Sequence, residues 1–206
     1  MRVSMKSIRN VAVRLACVGG IAAGAGGAQA LDEATNERDA LKACERQMCE
    51  ILVKKETTGA DFACTLSKTW KRVKIQEGIE KKKLKWGFGD ARCTVDVQAK
   101  RGMIVDAVSK PSHSVEFEPQ TVSCQIEREK ETTEVKVTLA PKISFKDGKA
   151  QKAWVNVKKI EAPAIIRGAI WTAAQVEDRF GLFHGDMIAE VNEFIDKKCP
   201  KAVTAK

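Results

Sequence analysis

The chain has 206 residues, with 36 Lys and Arg against 27 Asp and Glu, seven cysteines and no tyrosine. A hydrophobic content of 44% beside 31% charged residues excludes a wholly disordered or fibrous chain. No apolar run reaches the ~20 residues that span a bilayer, which argues against a transmembrane span.

Residues 1–30 read as a signal peptide. Arg2, Lys6, Arg9 and Arg14 form a basic head without an acid, Leu15 to Ala28 is apolar and rich in Gly and Ala, and Ala28-Gln29-Ala30 is a small-x-small cleavage pattern. Cleavage near Ala30 would make Leu31 the first residue and lower the net charge from +9 to about +5. The product is expected to be periplasmic or secreted. Much of the basicity then belongs to the targeting signal, so no nucleic-acid partner is expected.

Export gives the remaining cysteines a meaning. Cys44, Cys49, Cys64, Cys93, Cys124 and Cys199 are an even set in an oxidising compartment and point to structural disulfides. Six cysteines allow 15 connectivities. No C-x-x-C pair and no cluster at zinc spacing occurs, so neither a metal nor a redox cofactor is expected.

A helix is predicted over 32–55, where Leu41, Cys44, Met48, Ile51 and Leu52 share one face, Asp32 stands as its N-cap and Thr57-Thr58-Gly59 ends it. On that helix Cys44 and Cys49 lie ~140° apart, so each should reach a different partner. The segment 68–86 is ambiguous between helix and strand. The middle of the chain then alternates with period two around Phe62, Cys93, Val115, Val122 and Val135, the pattern of an antiparallel sheet with one wet face. Cys64, Cys93 and Cys124 fall on the apolar parity, and a Cys64–Cys93 bridge is the first expectation. Asp147-Gly148 marks a hairpin, and Pro141 before it marks an edge strand or a bulge.

Helical periodicity returns over 163–198. Ile165, Ile166, Ala169, Ile170, Ala173 and Ala174 crowd one side of a first helix, with Gly181 just past its end. Met187, Ile188, Val191, Phe194 and Ile195 stripe a second helix that Asp186 would cap, and Cys199-Pro200 would end it. The expected fold is α+β: an N-terminal helix, an antiparallel meander of about five strands, and two C-terminal helices packed on one face. It forms one disulfide-stapled domain over 31–200, followed by a flexible tail over 201–206.

Catalytic material is scarce. No G-x-S-x-G, P-loop or H-E-x-x-H pattern is present, and the histidines are His113 and His184. The leading expectation is an exported, non-catalytic binding protein that holds a small apolar or lipid-like ligand between the sheet and the C-terminal helices. A second reading is a protein-interaction or inhibitor module. It would use the basic surface of Lys68, Lys71, Arg72, Lys74, Lys81, Lys82, Lys83 and Lys85, which could also meet an anionic surface. A third is an enzyme with His184 as base and Asp186 as its carboxylate.

Overall fold

Among the described residues, period-two alternation becomes eight strands in two sheets. The computed structural model describes residues 31–80, 85–129, 131–180 and 184–204. The expected signal peptide, Lys81, Lys82, Lys83, Gly181 and the last two residues of the tail lie outside these. The main sheet holds β1 (Phe62–Trp70), β2 (Ala91–Ala99), β4 (Gln120–Glu127), β5 (Thr132–Leu139) and β8 (Val157–Glu161), all antiparallel and in that spatial order. A second, three-stranded sheet of order β3-β6-β7 is formed by β3 (Ser112–Glu116), β6 (Lys142–Lys146) and β7 (Lys149–Trp154). It is built from two excursions of the main meander. One leaves between β2 and β4, the other between β5 and β8, and the two pair with each other.

The helices are α1 (Glu37–Lys54), α2 (Arg72–Glu80), α3 (Arg101–Ser109), α4 (Ala164–Phe180), α5 (His184–Glu193) and α6 (Cys199–Thr204). The fold is α+β, as expected. The Asp147-Gly148 hairpin joins β6 to β7, and both residues have positive φ, 49° and 74°, the backbone that matches a tight turn to strand twist. Pro141 lies between β5 and β6, outside either strand, so it removes no ladder hydrogen bond; its carbonyl accepts Phe117 N–H at 2.9 Å.

One face of the main sheet is wet. Thr65 bonds Asp96 at 2.6 Å, Thr94 bonds Ser67 at 3.2 Å and Thr121 bonds Thr138 at 3.0 Å across neighbouring strands. The other face is apolar and packs at both ends. Phe62 and Ala99 meet Cys49, Ile51 and Leu52 of α1 and Ile104 and Val105 of α3. Ala91, Ile126 and Val135 meet Ile166 and Ile170 of α4, with Trp86 and Phe88 beside them.

The cysteines pair as Cys44–Cys64, Cys49–Cys199 and Cys93–Cys124, with Cα separations of 5.8, 4.6 and 4.0 Å. Cys44 and Cys49 do take different partners. The Cys64–Cys93 expectation is corrected by the register: Cys64 stands opposite Val97, four residues and ~13 Å along the strand from Cys93. Cys93 instead stands opposite Cys124.

Several boundaries move. Helix α1 begins at Glu37, not near Asp32, with Asn36 preceding it; Leu31 and Asp32 are instead bonded to the side chains of Glu127 on β4 and Arg92 on β2. It stops at Lys54, where Lys55 turns left-handed at φ 55° and returns its N–H to Ile51. The expected tail is helical through Thr204, with Ala202 and Val203 packed on the core behind the Cys49–Cys199 bridge. Pro200 does not end the helix. The turn before it, Phe194–Lys198, is π-helical and takes up the conflict between the proline ring and the helix behind it.

Candidate functional site

Exposed sheet edges are aggregation hazards, and helices cover two of them here with polar side chains. Strand β1 is an edge of the main sheet. Glu37, at the start of α1, accepts the Thr69 N–H at 2.8 Å, the Thr69 hydroxyl at 2.8 Å and the Lys68 ammonium at 3.1 Å. Glu37 is 1% exposed. Burial pushes its pKa up, but the Thr69 and Lys68 bonds outweigh burial and hold it below the ordinary carboxylate range.

Strand β7 is an edge of the small sheet, and α5 docks along it. The Asn192 amide accepts the Ala150 N–H at 2.8 Å and donates to the Ala150 carbonyl at 3.1 Å. His184 Nδ1 lies 3.0 Å from the Ala153 carbonyl oxygen, so Nδ1 carries the proton and donates. His184 is therefore an anchor of α5 on β7. Asp186 is not the cap expected of it: α5 begins two residues earlier, which places Asp186 in its first turn, where a carboxylate suits the helix dipole.

Three of the described lysines of the basic stretch pair with acids. Lys68 turns to Glu37. Lys71 pairs with Asp90 at 2.8 Å and donates to the Leu31 carbonyl at 2.9 Å. Arg72 and Lys74 lie on α2, where Lys74 pairs with Glu77 at 2.7 Å, and Lys85 is exposed beyond it. The described part of the segment 68–86 ends one strand at Trp70 and forms helix α2 over Arg72–Glu80, which is why its periodicity read both ways.

An apolar cavity of about 140 Å³ lies where α1, α3, the small sheet and the C-terminal helix meet. Its twelve lining residues are all apolar. Met48 and Leu52 come from α1, and Val191, Phe194 and Ile195 from the far side. The floor is Val115 and Phe145 of β3 and β6, and α3 adds Ile104, Ala107 and Val108. The π turn shapes the mouth. The Cys199 N–H bonds to the Phe194 carbonyl five residues back, which widens the helix and brings both Phe194 and Ile195 onto the cavity.

The Ile165–Ala174 helix, expected to line a cavity, contributes no residue to this one; Ala164, Arg167, Gly168 and Trp171 line a separate depression against β8. Helix α4 buries Ile166 against Ala91, Ile126 and Val135, while Ile165 is 78% exposed. The residues missed in sequence are those of α3. Ile104, Ala107 and Val108 at i, i+3 and i+4 were the available signal, but the run is short enough to read equally as a strand.

Among the described residues, no group of three or more His, Cys, Asp or Glu stands close enough to hold a metal ion, and no helix is long and apolar enough to cross a membrane. Comparison with family models, with curated proteins and with solved structures gives no match.

Proposed function

We propose that the chain is an exported, periplasmic or secreted binding protein without catalysis, and that it holds a small apolar group in the cavity between α1, α3 and the C-terminal helix. The cavity lined by apolar side chains alone carries this reading. Ligand sites are concave and mostly apolar, but commonly reach ~300 Å³ or more. At about 140 Å³ this one, open on one side, suits a single ring or the end of an acyl chain, not a whole lipid; an enclosed apolar cavity of ~150 Å³ takes up benzene. The three disulfides support export, since such bridges persist in oxidising compartments.

Ala107 faces the cavity and is 3% exposed, so a larger side chain there has only the cavity to enter. Saturating benzene should raise the melting temperature of the wild type and leave Ala107→Leu unchanged. Native mass spectrometry of the exported protein should show an added apolar mass that Ala107→Leu loses. A wild type that ignores benzene and carries no added mass would refute the reading.

A further inference from the structure

First residues of domains usually fray unless something ties them down. Leu31 is tied at every group. Its side chain is 9% exposed, its carbonyl accepts the Lys71 ammonium at 2.9 Å, and its backbone nitrogen donates to Glu127 Oε1. The next carbonyl, of Asp32, accepts the Arg92 guanidinium. The receiving carboxylate is rigid as well. Glu127 Oε2 accepts the Asp90 N–H at 2.9 Å, the Glu127 N–H bonds the Asp90 carbonyl at 2.9 Å, and the Gly89 N–H bonds the Glu127 carbonyl at 2.8 Å. Gly89 is required for this approach: a Cβ there would stand 2.7 Å from the Glu127 Cβ.

The cations nearby have nearer partners, Lys71 paired with Asp90 at 2.8 Å and only a through-space attraction to Glu127, and Arg128 paired with Glu131 at 3.5 Å. One oxygen of this fixed carboxylate serves the Asp90 N–H and the other the Leu31 nitrogen; the second is better matched by an ammonium, which brings a full charge and three donors, than by an amide. The nitrogen it faces belongs to the residue that cleavage after Ala30 would expose.

We propose that the protein is processed between Ala30 and Leu31 and that Glu127 is the receptor for the new N-terminus, held as an ion pair with the Leu31 α-ammonium. This rests on the export reading. A signal peptidase adds one water across the Ala30–Leu31 peptide bond, leaving a carboxylate on Ala30 and an amine on Leu31 that takes up a proton. Processing thereby converts a hydrogen bond with one charged partner into an ion pair with two, and the cleaved chain folds more stably than any chain that carries extra residues before Leu31.

All three apolar clusters among the described residues are built from residues after Leu31, so the chain from Leu31 to Lys206 carries them complete. It is made behind a tag whose protease leaves Leu31 first, and oxidised to three disulfides. The Leu31 α-amino group is titrated by NMR. Glu127, Asp90, Asp32, Lys71 and Arg92 are the charged groups around it. Its pKa should lie about one unit above the ordinary α-amino range of ~7.7–8.0 and fall back in Glu127→Gln. Nα-acetylation should lower the folding equilibrium constant roughly five- to tenfold in the wild type and leave Glu127→Gln unchanged.

An α-amino pKa identical in wild type and Glu127→Gln overturns the ion pair, whatever happens to export. N-terminal sequencing of the exported full chain separates the two ideas. A start at Leu31 supports both, a start at another residue overturns the receptor and leaves export standing, and an intact Met1 in the cytoplasm overturns both.

Discussion

Replacing Cys49 and Cys199 together by alanine should cost about 4–5 kcal/mol and be the most damaging of the three bridge removals. Both sulfurs belong to residues that are 0% exposed, and the bridge closes a loop with a sequence separation of 150. A cross-link stabilises largely by removing freedom from the unfolded chain, and that freedom grows with the logarithm of loop length. The same relation gives about 3 kcal/mol for Cys44–Cys64 and between 3 and 4 for Cys93–Cys124, whose separations are 20 and 31. Since a domain of this size is stable by only ~5–15 kcal/mol, loss of Cys49–Cys199 should bring the melting transition close to working temperature. Denaturant unfolding of the three double alanine variants checks the order. Equal losses across all three would remove loop length as the cause.

The same cysteines show what a sequence discloses and what it withholds. Alternation assigned Cys64, Cys93 and Cys124 correctly to one face, because side-chain direction in a strand has period two. It could not assign partners, because pairing depends on register, and register depends on where β1 and β2 begin relative to one another. A slide of four residues along β1 keeps every side chain on its own face and exchanges Val97 for Cys93 as the neighbour of Cys64. Helical spacing was more informative about Cys44 and Cys49, since the angle between them around α1 already forbade a mutual bridge.

The cavity was legible in pieces. The stripes Met48–Leu52 and Val191–Phe194–Ile195 and the alternation around Val115 and Phe145 all read as buried faces. That these faces meet one another is a tertiary fact, set by the two excursions from the meander that pair as a second sheet. Charge was less legible than apolarity. Lys68 and Lys71 look like part of a solvated basic run, yet each is turned to an acid far away in sequence, Glu37 and Asp90. Glu37 itself reads as an ordinary exposed residue of an amphipathic helix. Its role appears only when α1 is laid along the edge of β1.

That role makes Glu37 the side chain outside the bridges with the largest expected effect. Glu37→Ala should destabilise by about 3 kcal/mol, because it strands the Thr69 N–H and hydroxyl in a buried site. The Lys68 contribution is small by comparison, since that ammonium chain is 39% exposed and solvent screens it. Glu37→Gln keeps one oxygen acceptor but removes the charge and should cost about half as much. The effect should depend on pH with a definite sign. Burial raises the Glu37 pKa and the Thr69 and Lys68 bonds lower it further than burial raises it, so its folded value lies below its unfolded value. A carboxylate so depressed contributes its full stability above the unfolded pKa of ~4.3 and loses it as pH falls through the folded value. Denaturant unfolding of wild type and Glu37→Gln from pH 7 to pH 2 should therefore show a constant gap above the carboxylate range and a shrinking one below it. A gap that persists undiminished at the acid end would mean that the neutral carboxyl makes the same bonds to Thr69, and that α1 holds the edge of β1 by shape alone.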